Sequence, residues 1–379
     1  MQFSGGVSGL INKKVKMHIY HNLWPAICSF NNIMAAFYQA RKTKRTRKCV
    51  AQSEFGLEVE LLQLRRELTS GKYRPQPYDY FRVLEPKTRD ILAPHWRDRI
   101  VQHAICNIIG PLFDRTFIDD SYACRPNKGL HYGLRRIRHF IKSACADTSP
   151  ERVHYLKLDI RRYFASISWD ALLALLDERL ADPRLGAVLR TIITTHEYTR
   201  QPPPTPIIID ACLRRGIPIG NLTSQLFANL YLNPLDHFIK RELKARYYGR
   251  YMDDMLLIHS SAAWLKQAQK QIGDFLAERL KLKLHPHKVT LTTLDRGISF
   301  LGCRIFHNHT RIAGKTWRKM RRNLFHIRHC VAGGECAPSA LVAPWQSVRG
   351  FLQQADSYRR RERLACELFS LDCYYLDKI

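Results

Sequence analysis

The sequence has few acidic residues, and two long stretches have none. Against 61 Lys and Arg there are 33 Asp and Glu, so the net charge is +28. Residues 1–50 contain nine Lys or Arg and residues 301–330 contain eight, with no acid in either stretch. Such a positive field attracts polyanions, and nucleic acid is the leading candidate. The run RKTKRTRK at 41–48, taken alone, fits a solvated tail or a localisation signal equally well.

The eleven cysteines form no CxxC pair and no Cys/His spacing typical of a metal site. No signal-peptide pattern precedes them, so we expect reduced thiols in a cytoplasmic protein. No apolar run approaches the ~20 residues that cross a bilayer, which predicts no membrane partner.

The order of predicted elements favours an α+β class over repeated βαβ units. Helices are predicted at 33–47, 54–70, 169–180, 224–245 and 262–281, and strands at 153–160, 247–252, 255–259, 289–294 and 298–306. The last ~70 residues are predicted to be basic helices that break at 331–340.

Two adjacent aspartates, Asp253 and Asp254, stand in GRYMDDMLLI between strand-forming residues. A doubled aspartate in a hairpin is often only a polar turn, but Asp159 ends a second strand, LKLDI. Carboxylates brought together repel unless a cation neutralises them. Without Cys or His ligands nearby, such a cluster suits a hard cation such as Mg²⁺.

The ordered motifs resemble those of reverse transcriptases from about Leu84 to Arg304. They are Asp159 with Tyr163-Phe164, IPIGNLTSQ at 217–225, YMDD at 251–254, LKLHPHKV at 282–289 and ISFLGCRIF at 298–306. The resemblance implies a right-hand polymerase fold with fingers, palm and a C-terminal helical thumb. The implied divisions are a basic extension with the first helix at 1–50, fingers at 51–152, palm at 153–306 with a fingers segment around 170–215, and thumb at 307–379.

The resemblance also implies the site residues of an RNA-directed DNA polymerase. Asp159, Asp253 and Asp254 would be catalytic and, with the Ile160 carbonyl, would bind two Mg²⁺ ions, for which Mn²⁺ is a possible substitute. Phe164 would exclude a 2′-hydroxyl by a steric clash. The residues implied to contact the nucleotide or template are Lys87, Arg89, Arg125, Phe164, Ile219, Gly220, Gln225 and Lys288.

One motif differs from the form that many members of this family have. Group II intron reverse transcriptases and many others have QGxxxSP where this chain has Ile219-Gly220-Asn221-Leu222-Thr223-Ser224-Gln225. The pattern is similar to that of diversity-generating retroelement reverse transcriptases, which copy a template RNA into cDNA with errors at template adenines. These enzymes are encoded by bacteria or phages. The implied partners are template RNA, the RNA/cDNA duplex, deoxynucleoside triphosphates and a pentameric accessory variability protein.

Two other functions fit the sequence. The chain could be another bacterial reverse transcriptase of the retron, antiphage defence or intron type. It could also be a non-catalytic RNA-binding scaffold, although the presence of all three candidate carboxylates argues against this. Metal-dependent primer extension that is lost in Asp253→Ala separates a polymerase from a scaffold.

Overall fold

The computed structural model describes residues 18–84, 88–194, 210 and 212–369. They form helices and antiparallel sheets, which confirms the predicted α+β class. The chain divides into two compact units. Unit 1 contains the described residues up to Cys124, Asp159–Lys244 and Lys270–His287. Unit 2 contains Arg125–Leu158, Ala245–Gln269 and the described residues from Lys288 onward.

The elements of the described residues follow the expected order. The helices are α1 (Trp24–Ile27), α2 (Phe30–Arg41), α3 (Lys48–Phe55), α4 (Leu57–Thr69), α5 (Trp96–Asp114), α6 (Leu130–Ala144), α7 (Tyr163–Ser166), α8 (Trp169–Asp177), α9 (Pro183–Thr194), α10 (Leu222–His237), α11 (Ala262–Arg279), α12 (Gly314–Ala332), α13 (Val342–Leu352) and α14 (Tyr358–Phe369). The strands are β1 (Asp79–Val83), β2 (Arg89–Ala93), β3 (His154–Leu158), β4 (Tyr247–Tyr251), β5 (Asp254–His259), β6 (Thr290–Thr293), β7 (Ile298–Phe300), β8 (Cys303–Ile305) and β9 (Thr310–Ile312).

Helix α5 is the centre of unit 1, where it packs against α1, α2 and α10. It turns a row of fully buried aliphatic residues toward these partners, including Ile100, Ile105 and Ile109. Helix α2 contributes Ile33 and Phe37, which are one helical turn apart on one face. Helix α10 packs on the same helix α5, so this apolar contact supports α10.

The helix predicted at 33–47 ends earlier, at Arg41. A turn follows in which Thr43 has φ +64° and the Lys44 amide donates to the Arg41 carbonyl. A continued helix would stack the cations of RKTKRTRK at i, i+3 and i, i+4, where like charges destabilise it. The predicted helix at 54–70 likewise begins only at Leu57, after Gly56 ends α3.

Unit 2 is built on a four-stranded sheet in the order β4-β5-β3-β6, with every neighbouring pair antiparallel. Helix α6 covers β4 and β5 on one face. The central strand β5 is buried from Met255 to Ile258, and its neighbour β3 buries Tyr155, Leu156 and Leu158. Burial on both faces explains why β5 is a continuous apolar run rather than an alternating one.

The single strand predicted at 298–306 is wrong in one respect. The run is a hairpin of β7 and β8, and β9 extends it to three strands. Leu301 and Gly302 form its two-residue turn with φ +48° and +79°. Two consecutive positive φ values match the twist of a tight hairpin, and glycine at the second position lowers the cost. The predicted C-terminal helices are present as α12, α13 and α14.

Within the described part of the chain, no helix is long and apolar enough to cross a membrane. The ten cysteines among the described residues form no disulfide with one another. Burial raises the pKa of Cys28 and Cys303 to about 11 and that of Cys106 to about 12. These three thiols therefore stay protonated and unreactive near neutral pH.

Candidate active site

The YMDD sequence forms the turn of the β4–β5 hairpin in unit 2. Tyr251 pairs with Asp254, so Met252 and Asp253 are the two turn residues. Met252 has φ +53°, and Asp253 and Asp254 are half-buried. From Met255 the strand is buried, so the apolar residues after the doubled aspartate anchor the turn to the core. The two carboxylates are therefore held on a rigid strand end.

Arg250 fixes this turn from inside the unit. Its side chain is fully buried, and its guanidinium Nη1 donates to the Met252 carbonyl at 3.0 Å. A buried arginine is uncommon because desolvating its charge is costly. The hydrogen bond restrains the one turn residue whose backbone is left-handed. Arg250 is not among the residues predicted from the sequence, although a lone arginine in a strand of aromatic residues before a turn is a usable signal.

Strand β3 leads into the third predicted carboxylate. Its last residue, Leu158, pairs with Met255, the second residue of β5. Asp159 follows Leu158 directly in the chain, and Asp254 directly precedes Met255. Asp254 is thus the first residue of β5, and Asp159 is the residue that follows β3 in the chain.

The backbone around Ile160, in unit 1, is fixed by an antiparallel bridge to Leu284. The His285 amide donates to the Asp159 carbonyl at 2.8 Å, and the Arg161 amide donates to the Lys283 carbonyl at 2.9 Å. In this ladder pattern the polar groups of the bridging residue itself point to the other side. The Ile160 carbonyl thus points away from the 283–285 segment.

Among the described residues, no three His, Cys, Asp or Glu side chains are grouped closely enough to bind a metal ion. Asp254 instead pairs with Lys157 of β3, with 3.4 Å between Nζ and Oδ1. Uncompensated carboxylates repel, and a lysine satisfies one of them. The chemistry of the predicted donors nevertheless fits a hard cation, since all are carboxylate or carbonyl oxygens. Metal ligation by Asp159, Ile160, Asp253 and Asp254 stays a prediction.

The β1–β2 hairpin of unit 1 carries Arg89 at the exposed start of β2. Asp90 beside it is buried and accepts hydrogen bonds from the Tyr80 hydroxyl at 2.6 Å and Arg82 Nε at 2.8 Å. Burial opposes ionisation of Asp90, but the two hydrogen bonds outweigh it and the pKa is lowered. This ionised cluster stiffens the strand under Arg89. Lys87 lies outside the described residues.

The motif at residues 219–225, which differs from that of many reverse transcriptases, is anchored on the same hairpin. The Leu92 amide of β2 donates to the Ile219 carbonyl at 3.0 Å. Gly220 has φ +137°, and a Cβ there would lie 2.3 Å from the Leu92 carbonyl oxygen. The Asn221 amide nitrogen donates to the Tyr78 hydroxyl at 2.8 Å. The half-buried Ile219 side chain is therefore held in a fixed place by its backbone.

Phe164 is connected to the same segment. Its carbonyl accepts from the Ile217 amide at 3.0 Å, and its half-buried ring meets the ring of Tyr163 edge-on at 5.5 Å. Unit 1 thus brings the backbone of Phe164, the 217–220 segment and β2 together. Gln225 is exposed in the first turn of α10.

The two other predicted binding residues lie in unit 2. Arg125 is half-buried, and its carbonyl accepts from the Lys128 amide at 3.3 Å. Lys288 is exposed two residues before β6. Their contact with nucleotide or template stays a prediction.

Comparison with known proteins identifies the family. Residues 79–305, more than half of the chain, match the family described as "Reverse transcriptase (RNA-dependent DNA polymerase)". Protein YkfC of Escherichia coli K12 is 28% identical over 296 residues, covering 67% of this chain and 73% of that protein. The group II intron-encoded protein LtrA of Lactococcus lactis subsp. cremoris is 23% identical over 190 residues, covering 48% of this chain and 28% of LtrA.

Among solved structures, telomerase from Candida albicans in complex with a telomeric RNA fragment is similar with a TM-score of 0.47 and 12% identity. The similarity covers 80% of this chain and 57% of that telomerase.

The chain belongs to the reverse transcriptase family. The predicted class, an RNA-directed DNA polymerase on an α+β fold, is confirmed at the level of that family. The division into fingers, palm and thumb, the roles of single residues and the retroelement type stay predictions.

Proposed function

We propose that this chain is the reverse transcriptase of a diversity-generating retroelement, which copies a template RNA into cDNA with errors at template adenines. The observation that supports this type is the position of Ile219. An apolar side chain stands on a segment whose backbone is bonded to β2 and to Phe164, where group II intron reverse transcriptases and many others have Gln.

The reaction is nucleotidyl transfer to the end of a growing cDNA. Asp159, Asp253 and Asp254, with the Ile160 carbonyl, would bind two Mg²⁺ ions or substituting Mn²⁺. When bound, such a pair of ions stabilises both the attacking and the leaving oxygens of an in-line displacement. Within unit 2 the pairing of β4 with β5 fixes the backbone of the turn that carries Asp253 and Asp254, and within unit 1 the bridge to Leu284 fixes the backbone of Ile160.

The incoming deoxynucleoside triphosphate would lie against the unit 1 residues. Arg89, with Lys87, would neutralise charge on the triphosphate. The Phe164 ring would exclude a 2′-hydroxyl and so select deoxynucleotides. Gly220 lets the backbone approach β2, and Gln225 presents its amide at the start of α10.

Ile219 accounts for reduced fidelity in physical terms. A glutamine beside the nascent pair would hydrogen-bond the nucleotide, and a misplaced base would leave that amide unpaired. Sites built on hydrogen bonds reject wrong partners strongly, whereas apolar pockets discriminate by only ~1–3 kcal/mol. Because the Ile219 backbone is bonded to Leu92, a substitution there changes side-chain chemistry at a fixed backbone position.

The nucleic-acid partners would be the template RNA and the RNA/cDNA duplex. Arg125 and Lys288 would contact template or nucleotide, and the acid-free stretches 1–50 and 301–330 would contact RNA or a pentameric accessory variability protein. In the right-hand description of polymerases, we assign the β1–β2 hairpin to the fingers, the four-stranded sheet of β3, β4, β5 and β6 to the palm, and helices α12 to α14 to the thumb.

The test is primer extension by the full chain on an RNA template with all four bases, followed by sequencing of the cDNA. Errors are expected opposite template adenines, and Asp253→Ala/Asp254→Ala should abolish extension. Ile219→Gln should reduce adenine errors by about fivefold or more. The matched control Ile219→Leu keeps an apolar side chain and should keep the wild-type error pattern.

Other outcomes would select the other functions. Errors that are rare, or that are spread evenly over the four template bases, would still show a reverse transcriptase. They would favour the retron, defence or intron types over the diversity-generating type. RNA binding without extension under any metal condition would favour a scaffold. An unchanged adenine error rate in Ile219→Gln would contradict the role given to Ile219.

A further inference from the structure

Lys157 is a charged side chain inside the central strands of the unit 2 sheet. It stands in β3, between Leu256 of β5 and Thr290 of β6. The neighbouring residues Leu156 and Leu158 are buried, whereas the Lys157 side chain keeps 24% exposure. The side chain is long enough to reach bulk water, but its ammonium contacts Asp254 and the Ser299 carbonyl instead.

Three groups that attract a cation surround its ammonium. Asp254 Oδ1 is 3.4 Å from Nζ, and the Ser299 carbonyl accepts from Nζ at 3.2 Å. The centroid of the Phe300 ring is 5.8 Å from Nζ, within the range of a cation–π contact. The Ser299 carbonyl and the Phe300 ring hold the ammonium beside Asp254 through contacts that do not involve the carboxylate.

A divalent ion at Asp254 would have to share or displace this ion pair. Two cations on one carboxylate repel, and the residual positive charge of Lys157 would lie close to the ion. We propose that Lys157 is a positioning residue that competes with the divalent cation for Asp254 and so raises the metal concentration needed to occupy the site. This inference rests on the proposed function, in which Asp254 is a metal ligand.

The test is a titration of the RNA-free full-length chain with Mn²⁺. The electron paramagnetic resonance signal of free Mn²⁺ measures how much of the ion is bound. Lys157→Met keeps most of the aliphatic length without the charge. It should bind Mn²⁺ about two- to fivefold tighter, because the loss of a partly exposed ion pair changes an affinity by about that factor. Lys157→Arg keeps the charge and should bind as the wild type does. Lys266→Met, which removes an exposed lysine of α11 in the same unit, should also leave binding unchanged.

A tighter metal site is not an effect that a merely structural residue would produce on removal. Unchanged or weaker Mn²⁺ binding in Lys157→Met would overturn the inference, and Lys157→Gln is the second variant if the first fails to fold. In an Asp254→Asn background, Lys157→Met should lose its effect. If the wild type binds no Mn²⁺, or if its Mn²⁺ binding is unchanged in Asp253→Asn/Asp254→Asn, the proposed function fails instead.

Discussion

At the scale of single residues, Met252 and Arg250 show how the turn is stabilised. A non-glycine residue in the left-handed region costs roughly 1 kcal/mol or more, and Met252 has φ +53°. Arg250 donates to the Met252 carbonyl from a fully buried position. The buried guanidinium therefore stabilises the strained residue that separates Tyr251 from the aspartates.

Replacing Arg250 by methionine should destabilise the protein by about 2–4 kcal/mol. The loss combines a hydrogen bond from a charged donor, roughly 1.5–3 kcal/mol, with imperfect packing of the replacement. Urea denaturation of both proteins measures the difference. Arg246→Met, at an exposed position just before β4, should change stability by less than about 0.5 kcal/mol. Equal effects of the two variants would contradict the role of Arg250.

At the scale of elements, two glycines should respond to alanine in opposite directions. Gly220→Ala places a Cβ 2.3 Å from the Leu92 carbonyl at φ +137°, so the start of α10 must move off β2. We expect destabilisation of about 2 kcal/mol or more, since a rigid backbone atom is in the way. Gly186→Ala lies inside α9 with open space around the new Cβ, and should stabilise by about 0.5–1 kcal/mol.

Thermal and urea unfolding of the two glycine variants give the comparison directly. Gly220→Ala should also reduce primer extension, because it moves the backbone that carries Ile219, whereas Gly186→Ala should leave extension at the wild-type level. A neutral Gly220→Ala would show that the 219–221 segment is not fixed to β2.

The positions at which helices end were harder to predict from the sequence than the presence of the helices. The helix predicted from residue 169 does begin there as α8, and the hydroxyl of its N-cap residue, Ser168, accepts from the Ala171 amide. The helix predicted to continue to Arg47 stops at Arg41. A longer helix would bring the clustered cations together at i, i+3 and i, i+4, where like charges repel. A local cap is visible in sequence, whereas a balance between helix and turn is not.

At the scale of the whole molecule, stability should fall below about pH 6.5. Burial lowers the pKa of His103, and the neighbouring Lys44 and Arg99 lower it further. Burial also lowers the pKa of His237, and the bond from Nε2 to the Thr116 carbonyl only partly offsets this. Both histidines are therefore neutral in the folded state at a pH where the unfolded chain already binds protons.

The sign of the effect follows from linkage. The two histidine pKa values are lower in the folded state than the unfolded value near 6.5, so neither affects stability well above that pH. As pH falls from about 6.5 toward the folded pKa values, the unfolded state gains protons first and stability decreases. Urea unfolding at pH 7.5, 6.5 and 5.5 should show this loss. His103→Gln and His237→Gln should each reduce it, and an unchanged pH slope in both would contradict the assignment.

The sequence by itself determined the family, the α+β class and the strand–turn–strand placement of Asp253 and Asp254, because these depend on local patterns and on the chemistry of each residue type. Only the tertiary structure decided that Lys157 meets Asp254, that Arg250 is buried beneath the turn and that Leu92 holds Ile219. It also decided that ISFLGCRIF folds back as a hairpin. These contacts join residues on different elements, and packing among many side chains sets them rather than any pattern along the chain.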